Sequence, residues 1–178
     1  MFMVINKFKK EHNVFLLKLR ADNIKRIKNS KFFGGMFVFI VNVEGAIHRD
    51  GKWLLILRSE KEEHAGGTLS FVGGKCEIEG VSSDTLERTL QREIFEEVGI
   101  KVTSLTYVNS SSFVMDSGLN VIDIVFLCHH KSGEPYAKST EEVSDVFWMT
   151  ISEILTHKEI PVYLKENVKL AEKLLKRE

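Results

Sequence analysis

The sequence predicts an α/β or α+β sandwich, and three observations predict it. Five runs rich in apolar, β-branched or aromatic residues recur at 36–47, 52–58, 101–110, 120–130 and 145–150. Helical patterning is confined to a central segment near 85–98 and two C-terminal ones near 151–156 and 163–177. No repeat, low-complexity tract or linker interrupts them. Strands mixed with few helices bury their apolar faces only by stacking in layers.

Residues 14–28 read as a short strand followed by an amphipathic helix carrying Ile24 and Ile27. "MFVFIVNVEGAI" (36–47) and "KWLLILR" (52–58) read as strands joined at "HRDGK", where Asp50-Gly51 signals a tight hairpin turn. "EKEEHAGG" (60–67) is a polar loop leading into "TLSFVGG" and its paired glycines. The central helix has a legible start: Asp84 as N-cap, with Glu87 completing a capping-box pattern. Leu86, Leu90, Ile94 and Val98 recur every fourth residue as its buried stripe, and Gly99 ends it, with Ile100 for the hydrophobic contact beyond. "KVTSLTYVNS", "NVIDIVFLCHH" and "DVFWMT" follow as strands, with a turn at "SGEP".

The 178 residues, 43% apolar and 28% charged, suit one domain with a proper core. No run approaches a membrane span, and lysines and an arginine interrupt the apolar N-terminal residues, unlike a signal peptide. Cys76 and Cys128 are too few for a disulfide scaffold, so a reducing cytoplasm is expected. Net charge is zero but unevenly placed. Residues 1–31 hold nine Lys/Arg against Glu11 and Asp22, a balance of +7 that leaves −7 on the rest. We divide the chain into a basic extension, 1–30, and a main domain, 31–178. Without interleaved aromatics the extension does not read as a nucleic-acid binder; charge complementarity favours the acidic body or a second copy, a homodimer.

The helix end "QREIFEEVGI" carries the most information. At about 100° per residue, Glu93 and Glu97 fall roughly 20° either side of Leu86, along the edge of the buried stripe. Glu96 lies three residues from Glu93. Like charges at this spacing repel by roughly a few tenths of a kcal/mol and crowd the negative helix C-terminus. Arg92 offsets part of this. Two readings remain on composition alone: an ion-paired surface, or a site for a divalent cation such as Mg²⁺, which takes oxygen ligands.

These residues resemble the second half of the Nudix box, G-x5-E-x7-R-E-U-x-E-E-x-G-U. Arg92, Glu93, Ile94, Glu96, Glu97, Gly99 and Ile100 match it, and "LSFVGGKCE" resembles its glycine-rich approach. From Gly74 to Arg92 there are eighteen positions where the pattern has fourteen, so four residues are extra, most simply within "IEGVSS". Asp84 then stands at the pattern's first glutamate, and Val72 where proline is usual. The resemblance extends loosely over 36–156.

The resemblance implies an α/β/α sandwich around a mixed sheet. It also implies hydrolysis of a diphosphate linkage in a nucleoside diphosphate derivative, with Mg²⁺ or Mn²⁺ as cofactor. Metal ligands would be Glu93, Glu96, Glu97 and the Gly73 carbonyl, and Arg92 would hold Glu93 in place. The general base would be Glu142, on a loop whose distance from Trp148 resembles the family's usual stretch; Glu141 is its neighbour. Arg58 and Lys75 are candidates to meet phosphate, each balanced against an ordinary surface charge. Glu77 is a lesser metal candidate. Cys76 reads as a small packed hydrophobe and His129-His130 as a solvated pair, while Phe113 and Tyr107 read as core. The substrate would be a nucleoside diphosphate-sugar or ADP-ribose type. The alternatives are a pyrophosphohydrolase of damaged nucleoside triphosphates and a non-catalytic ligand sensor.

Overall fold

The computed structural model describes residues 38–62, 64–77, 80–115 and 117–178. The basic extension and the strand and helix expected at 14–28 lie outside these residues. The body comprises β1 (Phe39–Arg49), β2 (Lys52–Arg58), β3 (Leu69–Ser70), β4 (Val72–Lys75), α1 (Thr85–Val98), β5 (Lys101–Val114), β6 (Asn120–Ser132), β7 (Val143–Met149), α2 (Ile151–Thr156) and α3 (Val162–Leu175). The sheet runs β3-β2-β1-β6-β5, with β4 also on β1 and β7 also on β2. β1 and β6 pair in parallel, Phe39 opposite Asn120 through His48 opposite His129; the other pairs are antiparallel. The sheet is therefore mixed.

Alternation along the central strands creates two cores. Val43 and Ile47 of β1, Leu54 and Ile56 of β2, and Phe126 and Cys128 of β6 face α1, where Leu90, Ile94 and Val98 meet them. The intervening Ala46, Trp53, Leu55, Val125 and Leu127 face Ile154 of α2 and Leu164, Val168 and Ala171 of α3. Each fully buried Leu or Ile contributes roughly 1.5–3 kcal/mol over its exposed state. Helix, sheet and helix form the expected α/β/α layers.

Asp50 and Gly51, at φ 49° and 77°, close the β1–β2 hairpin between the paired Arg49 and Lys52. Only the two-residue turns with positive φ match the twist of the strands here. The start of α1 differs from expectation. Asp84 occupies the N-cap position with a left-handed backbone (φ 53°), and its side chain makes no capping hydrogen bond. An N-cap needs extended backbone to aim its oxygen at the first turn, so no capping box forms. The box occurs at α2 instead, where Thr150 Oγ1 accepts from the Glu153 amide while the Glu153 carboxylate accepts from Thr150 N. Gly99 ends α1 as expected, at φ 74° with its amide donating to Phe95 O.

Tyr107 and Phe113 also depart from expectation, being 56% and 39% exposed rather than core. β5 pairs only with β6 and is an edge strand, so part of its surface has no layer to pack against. The glycine-rich approach contains two short strands, β3 and β4. Among the described residues no helix is long and apolar enough to cross a membrane.

Candidate active site

The site forms where α1 crosses β4. Leu90, Ile94 and Val98 pin one face of the helix to the sheet, which carries Glu97 inward with them. Glu97 is 6% exposed, and its Oε2 is shielded from solvent with no hydrogen-bond partner. Burial, then the charges of Glu93 and Glu142, push its pKa up to about 9, with Arg58 opposing and Glu62 adding. Glu93 shifts upward as well, through burial, with Arg92 opposing and Glu96 and Glu142 adding. The three box glutamates therefore differ. Glu97 is buried, the Glu93 side chain is only 14% exposed, and that of Glu96 is 54% exposed.

Arg92 spans the outer two. Its Nη2 lies 2.8 Å from Glu93 Oε1 and its Nη1 2.8 Å from Glu96 Oε2. The glycine pair is sterically required. A Cβ on Gly73 would collide with the β1 backbone at Val43 O and Glu44 Cα, and one on Gly74 would collide with the Glu93 carboxyl. Gly73 thus lets β4 lie against β1, and Gly74 lets Glu93 lie against β4. Val72, where the family pattern has proline, is fully buried beside α1. Of the region carrying the four extra residues, Gly80 to Ser83 are exposed, so that length lies outside the core.

The loop before β7 reaches the same place. Glu142 is exposed, and its charge is felt at both Glu93 and Glu97. Glu141 turns away to Lys61, 2.7 Å off. Arg58 is three-quarters buried in side chain, bonds Glu62 at 2.6 Å, and its charge acts on both Glu97 and Glu44. Lys75 is the exposed last residue of β4, and Glu77 is exposed beyond it. Cys76 packs on the α1-side core. His129 pairs with Glu178, and His130 bonds Gly133 O, both away from these carboxylates.

Sequence reasoning missed a second acidic group on the opposite face of the sheet. Glu44 has a shielded, unpartnered Oε2, and its pKa rises to about 8 through burial and Asp123, with Arg58 opposing. Asp123 is 5% exposed and accepts from Asn42 Nδ2 at 2.8 Å. A signal existed, since Glu44 and Asp123 are the lone acids inside otherwise apolar strand runs.

The chain is similar to known proteins in sequence and in fold. The NUDIX domain model matches residues 35–168. The NAD-capped RNA hydrolase NudC of Photobacterium profundum is 31% identical over 99 residues, covering 56% of this chain and 34% of that protein. The chain thus matches about a third of the length of that relative. The crystal structure of a MutT NUDIX hydrolase from Burkholderia pseudomallei superimposes with a TM-score of 0.64 at 25% identity, covering 75% of this chain and 98% of that one. The NUDIX domain of Shewanella oneidensis NrtR, solved with ADP ribose, shares the fold at a TM-score of 0.64 and 16% identity, over 82% and 94% of the two chains. This chain belongs to the NUDIX family.

Proposed function

We propose that this chain is a divalent-metal-dependent hydrolase that cleaves the diphosphate linkage of a nucleoside diphosphate derivative, of the nucleoside diphosphate-sugar or ADP-ribose type. One observation carries the reading: Glu97 is buried beside Glu93 and Glu142 with an oxygen that nothing satisfies. A buried acid in that position raises the energy of the fold unless a cation meets it. Among the described residues no three His, Cys, Asp or Glu groups are gathered into a finished metal site. The donor chemistry nevertheless fits Mg²⁺ or Mn²⁺. Hard carboxylate oxygens stand one helical turn apart, the Glu97 oxygen is unpartnered, and the backbone of Gly74 lies close against the Glu93 carboxyl.

Glu93, Glu96, Glu97 and the Gly73 carbonyl would hold the metal. When bound it would neutralise diphosphate oxygens and lower the pKa of a water. Arg92 orients Glu93 and Glu96 by charge-assisted bonds to each. Glu142 takes the proton of the attacking water on its carboxylate, close enough for its charge to act on Glu93 and Glu97. Arg58 donates to phosphate oxygens, and Lys75 adds a cation at the end of β4.

The unassembled ligand set favours one rival, a ligand sensor that binds without turnover. A hydrolysis panel read by chromatography of the nucleoside monophosphate products decides between them, using ADP-ribose, UDP-glucose, NAD and 8-oxo-dGTP, each with Mg²⁺ and with Mn²⁺. Turnover of ADP-ribose or UDP-glucose ahead of the triphosphate is the expected result. Triphosphate preference sinks the substrate assignment, and binding without cleavage of any compound sinks the hydrolase.

A further inference from the structure

Arg58 sits on a β-bulge and inside a built loop. The register of β2 against β7 shifts between Leu57 and Arg58, an irregularity that re-aims the side chain following it. Backbone bonds from Arg58 N to Thr68 O and from Gly67 N to Arg58 O close the base of the loop connecting β2 to β3. Further ties hold it from outside: Ser59 N donates to Glu142 O at 2.8 Å, Lys61 pairs with Glu141, and the His64 ring stacks on Phe113 at 5.5 Å. Within it, the Arg58 guanidinium donates from Nη2 to Glu62 Oε2 at 2.6 Å and from Nε to His64 O at 3.3 Å. A guanidinium carries five N–H donors, so three remain uncommitted.

We propose that Glu62 is the positioning residue of Arg58, holding its guanidinium as a rigid fork for a substrate diphosphate. This rests on the reading above that Arg58 meets phosphate. Two features separate the pair from an ordinary surface ion pair. Both side chains are only about a quarter exposed, 24% and 27%, so neither is free to exchange partners with water as exposed pairs do. The loop is already closed at its base by backbone bonds, so the carboxylate is not needed to hold it. A carboxylate that the loop does not need is accounted for by what it does to Arg58. With two donors fixed, the planar group loses its rotational freedom before substrate arrives, and its free donors match the oxygens of a diphosphate in geometry as well as charge.

Binding of the non-hydrolysable α,β-methylene-ADP with Mg²⁺, measured by calorimetry, tests this without turnover. Glu62→Ala weakens binding by roughly tenfold, the lower end of effects seen when a supporting partner is lost. Glu62→Gln, whose amide oxygen still accepts from Nη2, weakens it less and also serves if the alanine variant folds poorly. Arg58→Ala weakens binding at least as much, and adding Glu62→Ala to it brings little further loss. Lys61→Ala, next door on the loop, binds as the wild type does. Wild-type affinity in Glu62→Ala with weakened binding in Arg58→Ala overturns the role of Glu62 alone, as does a Glu62 effect that persists undiminished without Arg58. Failure of wild type to bind, or wild-type affinity in Arg58→Ala, overturns the phosphate reading of Arg58 and this inference with it.

Discussion

At neutral pH and without a cation, Glu97 keeps its proton in the fold, because burial and then Glu93 and Glu142 hold its pKa near 9 against an ordinary 4.5. In the unfolded chain the same group ionises above pH 4.5. The folded state therefore binds the extra proton between these values, and stability falls as pH rises through that window, by up to about 1.4 kcal/mol per unit from this group. Glu97→Gln removes the titration. In chelator-treated protein the variant should match wild type near pH 4.5 and exceed it by roughly a few kcal/mol at pH 8. Urea denaturation at both pH values measures this, and parallel losses in the two proteins would refute it. Addition of Mg²⁺ at pH 8 should stabilise wild type more than the variant. Arg92→Ala and Glu142→Gln test different duties. The first should slow turnover by roughly ten- to a hundredfold through misaligned Glu93 and Glu96. The second should lower kcat with little change in metal affinity, and Glu141→Gln, whose partner is the exposed Lys61, should be nearly silent. Sensitivity of Glu141 in place of Glu142 would shift the base by one residue.

Elements divide the work between stability and site. α2 has its reciprocal cap at Thr150 and Glu153, whereas α1 starts on a left-handed Asp84 with no cap bond. Thr150→Ala should therefore destabilise by about 1 kcal/mol with activity intact. Asp84→Gly should change stability little, since glycine adopts the same left-handed backbone and there is no cap bond to lose. A large loss at Asp84 in thermal melts would mean its side chain does cap. The two glycines of β4 separate in the same way. Gly73→Ala forces a methyl into the backbone of β1 and should unseat β4, costing several kcal/mol in melts, about the scale of overpacking a core. Gly74→Ala meets only the Glu93 carboxyl, a movable group, so turnover should fall further than stability. Equal stability losses at both positions would contradict this.

For the whole molecule, the layered fold was legible because alternation in β1, β2 and β6 and the fourfold spacing in α1 are direct images of the two faces they bury. The clustering of Glu93, Glu96 and Glu97 was legible because one helix carries them, so spacing fixes direction. What stayed hidden depends on distant pairing. Asn42 and Asp123 meet only because β1 and β6 run parallel, and nothing local in either strand announces that. Glu62 was lost in a run of loop charges, because its partner Arg58 is re-aimed by a bulge that no spacing reveals. Tyr107 and Phe113 were misread as core because aromatic composition does not distinguish an edge strand from a central one.

The parallel ladder between β1 and β6 also sets an order of events during biosynthesis. Its partners, such as Asn42 and Asp123, stand 81 residues apart, and all of β2, β3, β4, α1 and β5 lie between them. The hairpin β1–β2 can close as soon as it emerges and β4 can join β1 soon after, but the other edge of β1 has no neighbour until residue 120 and beyond is made. At the ribosome's pace of about 5–20 residues per second, β1 waits for several seconds with one edge unpaired. During that interval its apolar residues face the same hazard as any open strand edge. Closure then pairs ten residues in one register. The arrival of β6 thus fills the centre of the sheet and forms the polar pair at Asn42 and Asp123 together, with β7, α2 and α3 still to complete the cores, so a nascent chain that stalls before β6 leaves an adhesive fragment rather than a smaller version of the domain.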